Sequence, residues 1–180
     1  MNTTDTPDTA LDILSVRAAK YAALPDARLN RTIIDSVVVL RVGDQSFGIP
    51  STALERIGRT PPIAHLPGLP RVVRGTLQNR GELLSAVDIA KWYRIDNAVG
   101  GDFFSVVVHS SGRKLALLID SVIGFRDIAQ EDLAESFWDK SDHEGIPLTA
   151  TTRDLIAIID VEQMFESPEI VSKSQNDNRR

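Results

Sequence analysis

The residues able to do chemistry are few and scattered. His65, His109 and His143 stand alone, none followed at i+3 or i+4 by the His, Asp or Glu that would set two metal ligands on one helix face. The chain has no cysteine, which excludes a disulfide framework, a thiolate zinc site, an iron–sulfur cluster and a cysteine nucleophile. There is no G-x-S-x-G, no phosphate-binding loop and no dinucleotide glycine cluster, and Gly100-Gly101 falls between two structured stretches. Asp88 and Asp120 each end an apolar run, where a carboxylate caps the following turn by accepting backbone N–H bonds. As an acid/base pair they would need a tuned environment that no motif supplies. The expectation is a non-catalytic protein with no catalytic residues, no metal and no cofactor. What remains is recognition, and Arg80 is its best candidate. Gly81 permits a positive φ at a tight turn and leaves the preceding guanidinium, with five donors, at the surface. The competing reading of Arg80 is a turn residue held by a local salt bridge.

The elements that would position these residues are strands. Ser36–Val42, the turn pair Gly43-Asp44 and Gln45–Ile49 read as a hairpin. A second hairpin, Phe103–His109 and Lys114–Asp120, places Val106 69 positions after Val37. The repeat continues: Arg80–Ile89 reappears as Arg153–Val161, and Asp88 and Asp160 lie 72 positions apart. Each half reads hairpin, loop, strand, turn, strand, helical turn. Short strands at close spacing favour small closed barrels, since closure removes exposed edges. A unit of roughly 60 residues is marginal alone, so the two lobes should share apolar surface.

Around this core, Leu11, Leu14, Ala18 and Tyr21 have helical spacing, Pro25 ends that helix, and 26–31 reads as a linker. The segment 167–180 reads as a mobile tail. The expected organisation is 1–31 helix and linker, 32–166 a duplicated domain with lobes at about 36–93 and 102–166, then the tail. Of 180 residues, 42% are hydrophobic and 25% charged, with a formal charge of −5, and the first ten residues lack a basic start and an apolar run. A cytoplasmic protein is expected. Charge is uneven: 56–81 holds five Arg and no acid, and 126–144 holds seven acids and two bases. The arginines raise nucleic-acid binding as a competing function, which the overall charge, the interrupting prolines and the sparse aromatics oppose. Trp92 and Trp138 read as packing residues, and Leu54, Ile57 and Leu66 as core or as the lining of an apolar groove.

The segment Gly75–Ile89, read as G-T-L-Q-N-R-G-E-L-L-S-A-V-D-I, resembles G-V-x-N-L-R-G-x-x-x-P-V-x-D-L of the CheW family of bacterial chemosensory adaptors. Phe47-Gly48-Ile49 followed by Leu54-Glu55-Arg56-Ile57, and Leu118–Val122, resemble further family motifs, and the match runs from about Val37 to Phe165. The resemblance implies two SH3-like five-stranded β-barrels in tandem. It implies a scaffold between the chemoreceptor cytoplasmic tip and the regulatory domain of the histidine kinase CheA, held at the inner face of the membrane only through receptors. Receptor contact would fall to Leu54, Gln78, Asn79, Arg80, Gly81 and Val87, and kinase contact to Glu55, Arg56 and Ile57. Arg153 matches Arg80 in pattern and is expected to be structural. Gln78-Asn79 stands where the family has N-L, Ser85 where Pro is common, and Arg56 where many members carry Glu. These departures admit an adaptor of a pathway that does not control swimming, such as pilus motility or second-messenger output.

Overall fold

Apolar runs without alternation, such as Val37–Leu40 and Leu115–Ile119, suit strands buried on both faces. The computed structural model shows what buries them. It describes residues 32–95, 104–134 and 147–170. The strands are β1 (Ile33–Val42), β2 (Gln45–Pro50), β3 (Leu54–Arg59), β4 (Ile63–Ala64), β5 (Val73–Asn79), β6 (Glu82–Asp88), β7 (Phe104–Ser110), β8 (Arg113–Ile119), β9 (Ser121–Ala129), β10 (Leu148–Thr151) and β11 (Ile156–Ile159). Two short helices follow β6 and β11: α1 (Ile89–Tyr93) and α2 (Val161–Glu166). The expected helix at 11–24, the linker 26–31, Gly100-Gly101, Trp138 and His143 lie outside the described residues.

The strands form two sheets, ordered β10-β11-β2-β1-β9 and β3-β7-β8-β6-β5-β4. Both expected hairpins are present, but the sheets do not follow the division into 36–93 and 102–166. Each sheet takes its central hairpin from one half and its remaining strands from the other. β11 lies parallel to β2 with Ala157 beside Phe47, and β6 lies parallel to β8 with Val87 beside Leu117. Parallel neighbours need a long crossover, so neither strand is able to pair with an adjacent strand of its own half in this sense. The exchange is reciprocal, and it ties the halves into one body.

Both sheets are rolled. In a flat six-stranded sheet β3 and β4, at opposite edges, would stand about 24 Å apart, five strand spacings. Only residues 60–62 join them, and four residue steps reach about 14 Å at most. The five-stranded sheet closes differently. After β9 the chain turns through Gln130–Asp132, Leu133 bridges Thr152, Ala134 N donates to Thr151 O at 2.8 Å, and Arg153 N donates to Asp132 O at 2.8 Å. The all-β fold of two small rolled lobes thus agrees with expectation, the two-residue β4 adding a sixth strand to one lobe.

Rolling separates three apolar clusters. The largest lies between the sheets and includes Val38, Leu40, Phe47, Ile49, Val106, Leu115, Leu117 and Met164. Leu77, Leu84, Ala86, Val107, Ala116 and Leu118 form a second cluster drawn wholly from the six-stranded sheet, and Val37, Val39, Ile128, Ile156 and Ile158 a third from the other. Successive side chains of β1, β7 and β8 therefore enter two different cores. Each large side chain so buried contributes about 1.5–3 kcal/mol.

The repeated aspartates act as caps. Asp88 accepts from Lys91 N at 3.1 Å and pairs with Arg74 at 3.5 Å, and Asp160 accepts from Gln163 N at 2.9 Å. Asp120 instead reaches back to the β1–β2 turn, accepting from Gly43 N at 2.6 Å. The expected tail begins as part of the body: Ser167 is buried and Ile170 packs on the cluster between the sheets.

Closure of the five-stranded lobe includes an Arg126–Asp154 ion pair. Partial desolvation of Asp154 works against ionisation, but hydrogen bonds from Thr152 and Arg126 outweigh it and hold the carboxyl below its usual value of 3.8. A carboxyl depressed by folding contributes stability above its unfolded pKa and loses it as pH falls through the folded value. Asp154→Asn is therefore expected to lower stability at neutral pH and to lose that difference below about pH 4, which urea unfolding across a pH series measures.

Candidate functional site

The β5–β6 hairpin turns through Arg80 at φ 48° and Gly81 at φ 90°, the paired left-handed conformations of a two-residue type I′ turn. Gly81 meets nothing within 4 Å where a Cβ would stand, so its requirement is conformational and not steric. Arg80 is exposed and makes no hydrogen bond or ion pair among the described residues, which removes the local salt-bridge reading. Arg153 behaves differently: its Nε donates to Leu133 O at 3.4 Å and its backbone N to Asp132. Of the two related arginines, one serves lobe closure and the other presents its charge to solvent.

Beside the Arg80 turn, the open end of the six-stranded lobe is filled with charge. Lys114 of β8 bridges Glu55 of β3 at 3.1 Å and Glu82 of β6 at 3.0 Å. Hydrogen bonds to Glu82 and then Glu55 raise the Lys114 pKa above 10.5. Arg56 Nη1 donates to Asn79 Oδ1 at 2.6 Å, joining β3 to a strand four positions away in the sheet, which only the rolled geometry permits. Asn79 is 5% exposed, so this bond satisfies a buried amide oxygen. Two departures from the family pattern, Arg56 for Glu and Asn79 for Leu, are thus physically coupled. A double-mutant cycle of Arg56→Ala and Asn79→Ala is expected to give a coupling of about 1 kcal/mol in urea unfolding.

The nine sequence-assigned site residues divide by burial. Gln78, Arg80 and Gly81 are exposed at the hairpin tip, and Glu55 and Arg56 are exposed on β3. Leu54 and Ile57 are half-buried against the cluster between the sheets. Val87 is fully buried beside Leu117, where it shapes the strand. The receptor and kinase sets also meet, through Arg56 and Asn79, so they do not form two independent surfaces here. Leu66 stays half-exposed in the loop before β5.

Sequence reasoning passed over Leu83, Ile123 and Phe125, exposed apolar residues at 77%, 55% and 66%. Leu83 faces Gln78 across the hairpin, next to Arg80, and Ile123 and Phe125 lie on the edge strand β9. Alternation was the available signal: Leu83 and Leu84 are adjacent, so one must face outward. Among the described residues no group of three His, Asp or Glu is placed to hold a metal, and His65 instead meets Arg74 O at 2.8 Å. No described helix is long and apolar enough to cross a membrane. The five arginines of 56–81 form no stripe, since Arg56 and Arg74 are committed to Asn79 and Asp88.

Residues 36–169 match the model of the CheW-like domain. The chain belongs to the CheW-like domain family. It is 30% identical over 94 residues to Protein FrzA of Myxococcus xanthus, an alignment covering 52% of this chain and 59% of that relative. The structure is similar to that of the scaffolding protein TtCheW from Thermoanaerobacter tengcongensis, with a TM-score of 0.60 and 23% identity, covering 75% of this chain and 94% of the other. That likeness supports the fold. The chain spans less than two thirds of the length of that curated relative, and family membership rests on the CheW-like domain itself.

Proposed function

We propose that this chain couples a chemoreceptor cytoplasmic tip to the regulatory domain of the histidine kinase CheA, in the cytoplasm beside the membrane that holds the receptors. The observation that carries this reading is Arg80, without a partner among the described residues, on a type I′ tip with Gln78 and Leu83 beside it. A receptor coiled-coil helix would dock through apolar anchors, and the tip offers an apolar side chain next to an available cation. Leu54, Asn79, Gly81 and Val87 support that contact from behind or by backbone shape. The kinase contact is assigned to Glu55, Arg56 and Ile57 on β3, an edge strand whose outer side is unpaired among the described residues. Opposed charges there would set encounter rate and register more than affinity.

The test mixes the full chain with a receptor-tip fragment and a kinase from the same genome and follows complex formation by analytical ultracentrifugation. A ternary complex that needs all three components supports the reading. Binding to neither partner overturns it.

A further inference from the structure

A cavity of about 310 Å³ opens beside α1, with Pro70 and Arg71 from the turn before β5, Lys91, Trp92 and Arg94 from α1 and its cap, and Glu169 in its wall. Three bases to one acid is a local reversal in a chain of formal charge −5. The Arg71 and Lys91 side chains have no hydrogen-bond or ion-pair partner among the described residues. Trp92 is 4% exposed, and its Nε1, closed off from solvent, has no acceptor among the described residues. Glu169, the wall's one carboxylate, accepts from Ser167 Oγ. What the wall has unspent is therefore cationic donors, the Arg71 guanidinium fork and the Lys91 ammonium, beside the apolar body of Trp92.

Such a wall fits a ligand that is anionic and rich in acceptor oxygens. A phosphoryl group supplies three oxygens and close to two negative charges, against two oxygens and one charge for a carboxylate. The cavity exceeds what a phosphoryl group fills, and Pro70 and Trp92 give the remainder an apolar side suited to a ring. We infer that this cavity binds a phosphate monoester with an apolar body, its oxygens on Arg71 and Lys91 and its body against Trp92 and Pro70. The inference stands apart from the adaptor reading, since no residue assigned to receptor or kinase lines the cavity.

The test titrates the full ¹⁵N-labelled chain with phenyl phosphate, in parallel with a phosphotyrosine peptide, inorganic phosphate and sulfate, following the Trp92 indole N–H. The expected result is a saturable, one-site shift of that resonance with phenyl phosphate, at least tenfold tighter than with inorganic phosphate or sulfate. The Arg71→Ser/Lys91→Ser double variant, both side chains being unpartnered, should keep its spectrum and bind at least tenfold more weakly. Tighter binding of the peptide would assign the site to a phosphorylated protein segment, and weaker binding to a free ester. No saturable shift with either compound, or equal affinity in the double variant, overturns the inference.

Discussion

Arg80→Glu will weaken binding to a receptor-tip coiled coil by about 1–3 kcal/mol, roughly 5- to 150-fold, and will change folding stability by less than about 0.5 kcal/mol. The separation of the two effects follows from the structure. Arg80 has no partner to lose among the described residues, and glutamate replaces it in the same left-handed turn that Gly81 completes. Reversing the charge removes the available donor fork and sets a carboxylate where the proposed contact uses a cation. Arg153→Glu supplies the contrast, because that side chain donates to Leu133 O where the other lobe closes. It should lose stability and retain receptor binding. Titration calorimetry beside urea unfolding of both variants distinguishes the roles, and equal losses of binding and stability in Arg80→Glu would reduce that residue to a structural turn.

The contrast between these arginines also marks how far the sequence could be read. Both hairpins and the Asp88 cap were legible because each depends on neighbours within a few residues: a turn pair, an alternation, a carboxylate three positions before the amide it caps. The exchange of strands between halves was not legible. Parallel pairing of β2 with β11 has no turn to announce it, and Phe47 and Ala157 are brought together only by the closing of two cores. The burial of the assigned site residues was not legible either. Val87 was assigned to receptor contact through the resemblance alone, and β6 faces one core through Leu84 and Ala86 and another through Val87. Arg56 and Asn79, 23 positions apart, read as two unrelated departures until the rolled sheet set them 2.6 Å apart. Leu83 required knowing which side of β6 the lobe encloses.

Gly75 is where a local residue choice and that nonlocal geometry meet, and Gly75→Ala is expected to destabilise the protein by about 2–5 kcal/mol. Gly75 has φ 154°, and a Cβ there would lie 2.2 Å from Ala64 O and 2.8 Å from the Ile63 side chain. The carbonyl cannot give way cheaply, because β4 is paired to β5 through Ala64 with Thr76 and Ile63 with Leu77. Relieving the clash means lifting β4 off the sheet, which removes Ile63 from the cluster it packs against and loosens the lobe that holds the Arg80 turn. Against a typical total stability of about 5–15 kcal/mol, that loss reaches a large fraction of the whole. Gly81→Ala is the matched control, with a positive φ of 90° but no neighbour within 4 Å, so its cost should stay near 1–2 kcal/mol. Equilibrium urea unfolding of the two variants compares strain alone with strain plus collision. Equal midpoints would mean that β4 yields freely and that the close approach at Gly75 does not hold the lobe shut.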